Sequence, residues 1–269
     1  MKTLYITDLD GTILTKEQTV TEYSKRVFNA LYERGTLVTY ATARSLETAT
    51  VVTQGVKFGA PRVVYNGAFV FGTDDKPFIS HTFEGAAHGV IDTLLSGGLP
   101  PIVYSLTNGA EKFSFVPKLL SKGGRMFIDT RLNSVRINPV DSTDALYKGD
   151  IFYLLCIDDK AKLLPYYDMY KDEFHCVLSV EPYTHNDWLE IMPRAATKAN
   201  AIRELKAKLN CRLVAFGDGK NDIDMFLAAD ECYAVENAVP ELKEIATAVI
   251  GKNTDDAVAK WLEKNEPLK

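Results

Sequence analysis

Basic charge is in short supply: 31 Lys and Arg stand against 36 Asp and Glu, for a net charge of -5. Proteins that track a nucleic-acid backbone rely on a surplus of Lys and Arg to neutralise phosphates, so the balance argues against nucleic acid as a partner. Long apolar runs are also missing. Nowhere do eighteen uncharged apolar residues follow one another, and Asp8 interrupts the first apolar stretch before it could act as a secretory leader. Neither membrane insertion nor secretion is expected, and the expected location is the cytoplasm. Cysteine is sparse and unpaired: Cys156, Cys176, Cys211 and Cys232 form no Cys-x-x-Cys, and most sit in or beside apolar runs such as Tyr153-Leu154-Leu155-Cys156-Ile157. They read as reduced core thiols. His81, His88, His175 and His185 share no metal-ligand spacing and receive no catalytic role. No repeat or low-complexity tract is visible. At 269 residues, 46% hydrophobic and 25% charged, the chain fits one large domain or two moderate ones.

Against this plain background the most informative residues are Asp8 and Asp10, in Thr3-Leu4-Tyr5-Ile6-Thr7-Asp8-Leu9-Asp10-Gly11-Thr12. Residues two apart on a strand point the same way, so an apolar strand ending here delivers two carboxylates to one spot. Such a pair needs a cation to stay ionised, or else one member's pKa rises. Either outcome suits a nucleophile or metal ligand beside a proton donor. The bland alternative is an Asp-Gly turn.

The flanking pattern supplies a scaffold. Thr19-Val20-Thr21-Glu22 reads as a capping box opening a helix that Gly35 closes. Leu37 to Ala41 reads as a buried strand, Ser45 to Gln54 as a helix, and Val63 to Phe71 as a hairpin turning at Asn66-Gly67. This alternation begins a doubly wound, Rossmann-like α/β fold with a parallel sheet. From about Phe83 the rhythm changes to strand-like runs (Lys112 to Val116, Ile151 to Ile157), an Asn108-Gly109 turn and a helix from Lys160 to Tyr170, as expected of an inserted α+β domain with its own core. The βαβ rhythm resumes with a helix from Lys198 to Leu209, the strand Leu213 to Phe216, a helix from Asn221 to Ala228, the strand Cys232 to Val235 and a helix from Asp255 to Lys264. The expected division is a core of residues 1–83 and 188–269 with an insert of 84–187.

The strand Leu213 to Phe216 runs into Gly217-Asp218-Gly219-Lys220-Asn221-Asp222, which puts Asp218 in the same kind of position as Asp8. If the strands are neighbours, Asp8, Asp10, Asp218 and Asp222 converge at the carboxyl edge of the sheet, where ligands of parallel α/β proteins gather. All-oxygen ligands of that charge suit Mg²⁺. Thr42, in Ala41-Thr42-Ala43-Arg44, offers a hydroxyl and loop amides to an anion, or else caps the following helix. Lys198 opens a helix, where a cation opposes the macrodipole but joins free amides in an anion site; a solvated surface lysine is the alternative. Together these groups describe phosphoryl transfer, in which positioning and charge neutralisation carry most of the catalysis.

In these four motifs, Asp8-Leu9-Asp10-Gly11-Thr12, Thr42, Lys198 and Gly217 to Asp222, the chain resembles the haloacid dehalogenase superfamily phosphatases, specifically the Cof-type branch with a C2 cap inserted between the second and third motifs. The resemblance implies that Asp8 attacks phosphorus and that Asp10 acts first as acid and then as base. It implies a Mg²⁺ held by the Asp8 side chain, the Asp10 carbonyl and Asp218, with Asp222 ordering the site from close by. Thr42, Lys198, Asn221 and amides near Leu9 and Ala43 would hold the phosphate. Ala43 and Ala199 stand where relatives usually have Gly, each adding one methyl group. The expected substrate is a small phosphorylated metabolite such as a sugar phosphate, and the expected assembly a monomer or small homo-oligomer. The cap would recognise the leaving group, with Arg125, Arg131, Arg136, His185 and Asn186 as polar candidates, and would rock about linkers near His81 to Gly85 and His185 to Trp188. Asn66-Gly67 matches a recurrent pair of the branch and reads first as a turn and second as a substrate contact. A phosphomutase of the phosphomannomutase type is the enzymatic alternative. A receiver-like signalling module is the non-enzymatic one, disfavoured by Asp10.

Overall fold

In the computed structural model, which describes residues 2–180 and 186–266, the chain forms two compact units, residues 1–80 with 195–269 and residues 81–194. His185, named above for the cap and for the second linker, lies outside the described residues.

The first unit begins with β1 (Thr3–Thr7), α1 (Glu22–Glu33), β2 (Leu37–Tyr40), α2 (Leu46–Val52), β3 (Arg62–Val64), β4 (Phe69–Phe71) and β5 (Pro77–Ser80). The second unit holds α3 (Ala87–Ser96), β6 (Ile102–Thr107), β7 (Ala110–Phe115), α4 (Lys122–Asp129), β8 (Ile137–Pro139), β9 (Asp150–Ile157), α5 (Lys160–Tyr170), β10 (His175–Val180) and β11 (Asp187–Met192). The chain then returns to the first unit through α6 (Lys198–Leu209), β12 (Arg212–Gly217), α7 (Ile223–Ala228), β13 (Glu231–Ala234), α8 (Pro240–Ile245), β14 (Ala248–Val249) and α9 (Ala257–Asn265).

The doubly wound α/β core is present. Its five strands are all parallel, in the order β14-β13-β12-β1-β2. β1 and β12 are apolar along nearly their whole length because a central parallel strand is covered on both faces, and Leu4, Ile6, Leu213, Ala215 and Phe216 are fully buried. Register then places the chemistry. Thr7 pairs with Phe216 on one side and Tyr40 on the other, so β1, β12 and β2 end level and hand Asp8, Asp218 and Thr42 to the same edge. A separate antiparallel sheet, β3-β4-β5, follows β2, which it joins through a bridge between Ala41 and Val63.

One local expectation is corrected: Thr19 does not cap α1; Thr21 does, its hydroxyl accepting from the Ser24 amide at 3.1 Å, because the helix starts at Glu22. The hairpin turning at Asn66-Gly67 is present, β3 pairing antiparallel with β4 up to Val64 opposite Phe69, and its loop includes a 3-10 turn, Tyr65–Gly67, in which all three residues have positive φ.

In the second unit a six-stranded sheet runs β10-β11-β9-β6-β7-β8, antiparallel except between β7 and β8. Val90, Ile91 and Leu94 of α3 and Leu163 of α5 pack with Val103, Leu154, Cys156, Leu189 and Ile191 in one apolar cluster. The units divide at residues 80/81 and 194/195, whereas the sequence pointed to 83/84 and 187/188. The second shift has a plain cause: β11 pairs along its length with β10 and, from Trp188 to Ile191, with β9, so these residues belong to this sheet. Cys156, Cys211 and Cys232 are buried free thiols and Cys176 is a partly buried one.

Glu190 of β11 is a partly buried carboxylate that accepts a hydrogen bond from the Tyr153 hydroxyl. Burial raises its pKa, and the Tyr153 bond opposes that only in part. An acid whose folded pKa exceeds its unfolded one binds more protons when folded, so stability falls as pH rises from the ordinary glutamate range through the raised value. Glu190→Gln is expected to flatten that segment of the stability-pH curve and to match or exceed the parent's urea midpoint at pH 7; a lower midpoint at pH 7 with the slope unchanged would refute the assignment.

Candidate active site

Every residue of the candidate site belongs to the first unit. β1 ends at Thr7, and the Asp8 amide still donates to the Phe216 carbonyl at 2.9 Å, so Asp8 is held at the strand end and is 5% exposed. α6 begins at Lys198, capped by Thr197, and carries the lysine inward until its side chain is 1% exposed. Its Nζ donates to Asp8 Oδ1 at 2.6 Å and to Asp222 Oδ1 at 2.7 Å. The surface-lysine alternative is therefore excluded. Asp222 is fully buried, and its other oxygen accepts from the amides of Asp218 and Gly219 at 3.1 and 3.0 Å, which fixes the loop that presents Asp218. Thr12 donates to Asp218 Oδ1 at 3.1 Å. Gly11 has φ +76°, and a Cβ there would collide with the Asp218 carboxylate.

Three carboxylates converge, those of Asp8, Asp218 and Asp222, with one oxygen from each within 4.8 Å of the others. The fourth expected member does not join them: the Asp10 side chain is half-exposed and turns to Arg44, which donates from Nε at 2.7 Å and from a terminal nitrogen at 2.5 Å. Burial pushes the Asp8 carboxyl well above the usual range, against the opposing pull of Lys198, and the charges of Asp222 and Asp218 push it the same way. Asp218 is raised to about 6, by burial first and then by Asp222. Burial alone would lower Lys198, but Asp222 and Asp8 outweigh it and hold its ammonium above the ordinary lysine range. Three carboxylates thus face one ammonium in a buried pocket of charge, an excess that a divalent cation would balance with hard oxygen ligands. The donor set fits such an ion.

Thr42 is buried and is not the cap of α2; Ser45 is, accepting from the Thr48 amide at 3.1 Å. The Thr42 hydroxyl accepts instead from the Arg44 amide at 3.1 Å, and its backbone is tied to Val63 and Asn66. Leu9 is fully buried, its carbonyl taking the amides of Thr12, Ile13 and Leu14, while Ala43 and Asn221 are exposed at the same edge. The partner of Asp10 is not announced by the sequence, although Arg44 lies two residues past Thr42, and neither is the second use of Asn66-Gly67. Asn66 is buried, its amide donates to the Thr42 carbonyl at 2.9 Å, and the Tyr65 amide donates to the Arg44 carbonyl at 2.9 Å. Gly67, at φ +102°, lies against the Thr197 carbonyl and the Lys198 amide, where a Cβ would collide with backbone. The turn thus wedges the Thr42 loop against the start of α6. Gly67→Ala combines a left-handed conformation, which costs an L-residue about 1–2 kcal/mol, with that collision. It is expected to lower the urea midpoint and to raise KM for substrate; unchanged values for both would show that the contact has no such role.

A parallel sheet that gathers carboxylates and a buried lysine at its carboxyl edge is the framework of an α/β enzyme with a polar site at its strand ends. The chain belongs to the haloacid dehalogenase-like hydrolase family, whose model matches residues 5–262. It is 26% identical over 285 residues to a Bacillus subtilis protein named 5-amino-6-(5-phospho-D-ribitylamino)uracil phosphatase YwtE, with 96% of each chain covered. A second B. subtilis protein of that activity name, YitU, is 24% identical over 276 residues, covering 96% of this chain and 95% of its own. Among solved structures, a haloacid dehalogenase-like hydrolase from Bacteroides thetaiotaomicron shares the fold with a TM-score of 0.80 at 19% identity, covering 98% of this chain and 100% of its own. Another, from B. subtilis, gives 0.75 at 22% identity, with 98% and 99% covered. The described residues include no helix long and apolar enough to cross a membrane.

Proposed function

We propose that this hydrolase is a Mg²⁺-dependent phosphatase of small phosphorylated metabolites, sugar phosphates or close analogues, working through an aspartyl-phosphate on Asp8. The observation that carries the reading is the buried Lys198 bridging Asp8 and Asp222 beside Asp218, a charge arrangement suited to a divalent cation that, together with the Lys198 ammonium, would draw a phosphate to a carboxylate nucleophile. Bacillus relatives named for a substrate carrying a phosphorylated ribityl chain support the substrate class.

The Asp8 and Asp218 carboxylates and the Asp10 carbonyl would hold Mg²⁺, which when bound supplies positive charge to the phosphate oxygens. Thr42, Lys198, Asn221 and the amides of Leu9 and Ala43 orient the phosphate. An Asp8 oxygen forms a bond to phosphorus as the bond to the leaving oxygen breaks, and Asp10 gives that oxygen its proton. Asp10 then takes a proton from a water that attacks the phosphorus, and the acyl-phosphate bond breaks to return Asp8 and release inorganic phosphate.

The test is phosphate release from a panel of phosphorylated sugars, sugar alcohols, nucleotides and amino acids, with Mg²⁺ and with a chelator. Mg²⁺-dependent turnover that favours sugar and sugar-alcohol phosphates is expected. Full turnover in chelator would overturn the metal role, and a flat profile the substrate class.

A further inference from the structure

Resting on the reading of Asp10 as the proton shuttle, we propose that Arg44 is the positioning residue that sets the Asp10 carboxylate and ties its placement to the phosphate loop. Three observations carry this. First, Arg44 grips both oxygens of Asp10, Nε to Oδ2 at 2.7 Å and a terminal nitrogen to Oδ1 at 2.5 Å. A two-point fork fixes the plane of a carboxylate as a single contact cannot, and leaves each oxygen a second lone pair, on which it can carry a proton to a leaving oxygen or accept one from a water. Second, the pair sits where it adds little to stability: the side chains are 52% exposed for Asp10 and 20% for Arg44, and exposed ion pairs contribute little to folding. Third, Arg44 is anchored at every level. Its amide donates to the Thr42 hydroxyl at 3.1 Å, its carbonyl accepts from Tyr65 at 2.9 Å, and its guanidinium also donates to Gln18 Oε1 at 3.2 Å. Gln18 is itself held at φ +56° in the loop that follows Asp10.

Arg44 therefore joins the loop bearing the proton shuttle to the loop bearing Thr42. A shift in the Thr42 loop is passed to Asp10 through a planar, bidentate contact. Lysine, a point charge on a flexible stem, cannot reproduce that contact.

The experiment compares the parent, Arg44→Ala, Arg44→Lys and Asp10→Asn in rapid-quench assays of phenol release from para-substituted phenyl phosphates, whose leaving groups span those that depart unaided and those that need a proton. In the parent, the burst rate is expected to depend weakly on leaving-group basicity. Arg44→Ala and Arg44→Lys are expected to steepen that dependence as Asp10→Asn does, costing about 100-fold with the poorest leaving group and little with p-nitrophenol. Added guanidinium ion is expected to restore Arg44→Ala alone. With a sugar phosphate as substrate, Arg44→Ala should lower kcat by a similar factor with KM little changed. Loss by one factor across the whole series, or a rise in KM alone, would overturn the proposal and leave Arg44 a structural residue. An unaltered slope in Asp10→Asn would instead overturn the reading of Asp10 itself.

Discussion

Asp8→Asn is expected to abolish turnover, lowering kcat by on the order of 10⁴-fold or more, while the protein stays folded. The amide keeps the shape of the side chain and can still accept the Lys198 bond that Asp8 Oδ1 now accepts at 2.6 Å, but it cannot attack phosphorus. It also removes one of three carboxylates crowded around a single ammonium, so the metal-free variant should resist urea at least as well as the parent. The measurement is phosphate release, paired with acid-quenched detection of labelled protein: the parent should carry an acid-stable, base-labile phosphoryl group and the variant none. Turnover within about tenfold of the parent, too small a loss for a missing nucleophile, would place the nucleophile elsewhere.

Lys198→Met should have the largest effect on stability. Its Nζ bridges Asp8 and Asp222, which are almost completely buried, and breaking a buried ion pair by deleting one partner costs about 3–5 kcal/mol because the other charges stay behind. The urea midpoint should fall accordingly and phosphatase activity should be lost. The double variant Asp8→Asn with Lys198→Met should be destabilised by less than the sum of the singles, since the two groups interact directly. Additivity would mean that the three charges do not form the coupled unit their distances describe.

How far the sequence announced this arrangement depended on distance along the chain. The strand ends that deliver Asp8 and Asp218 were legible, because a covered parallel strand reads as an apolar run and its last residue marks the edge of the sheet. Asn108-Gly109 was legible as well, being a local turn between β6 and β7. Lys198 was ambiguous, since a lysine in a first helical turn reads as surface or site until burial decides it. What stayed hidden was set by partners that no spacing encodes. The fork on Asp10 comes from a residue 34 positions away, and Asn66-Gly67, which turns the hairpin as its residues suggest, also meets the Thr197 backbone, a contact no local signal announces. The second unit runs on to residue 194 because β11 pairs with β10 and β9, and nothing in such a strand says which sheet it will join.

The contact between Gly67 and the Thr197–Lys198 peptide has an evolutionary consequence. It brings the segment after β3 against the first helix after the insertion, so the two halves of the unit meet through a close backbone contact that does not pass through residues 81–194. Selection acting on the inserted segment can lengthen it, recolour its polar residues or exchange it wholesale while the lysine and the Thr42 loop keep their alignment. A lineage built this way can rework that segment without disturbing the strand-end site.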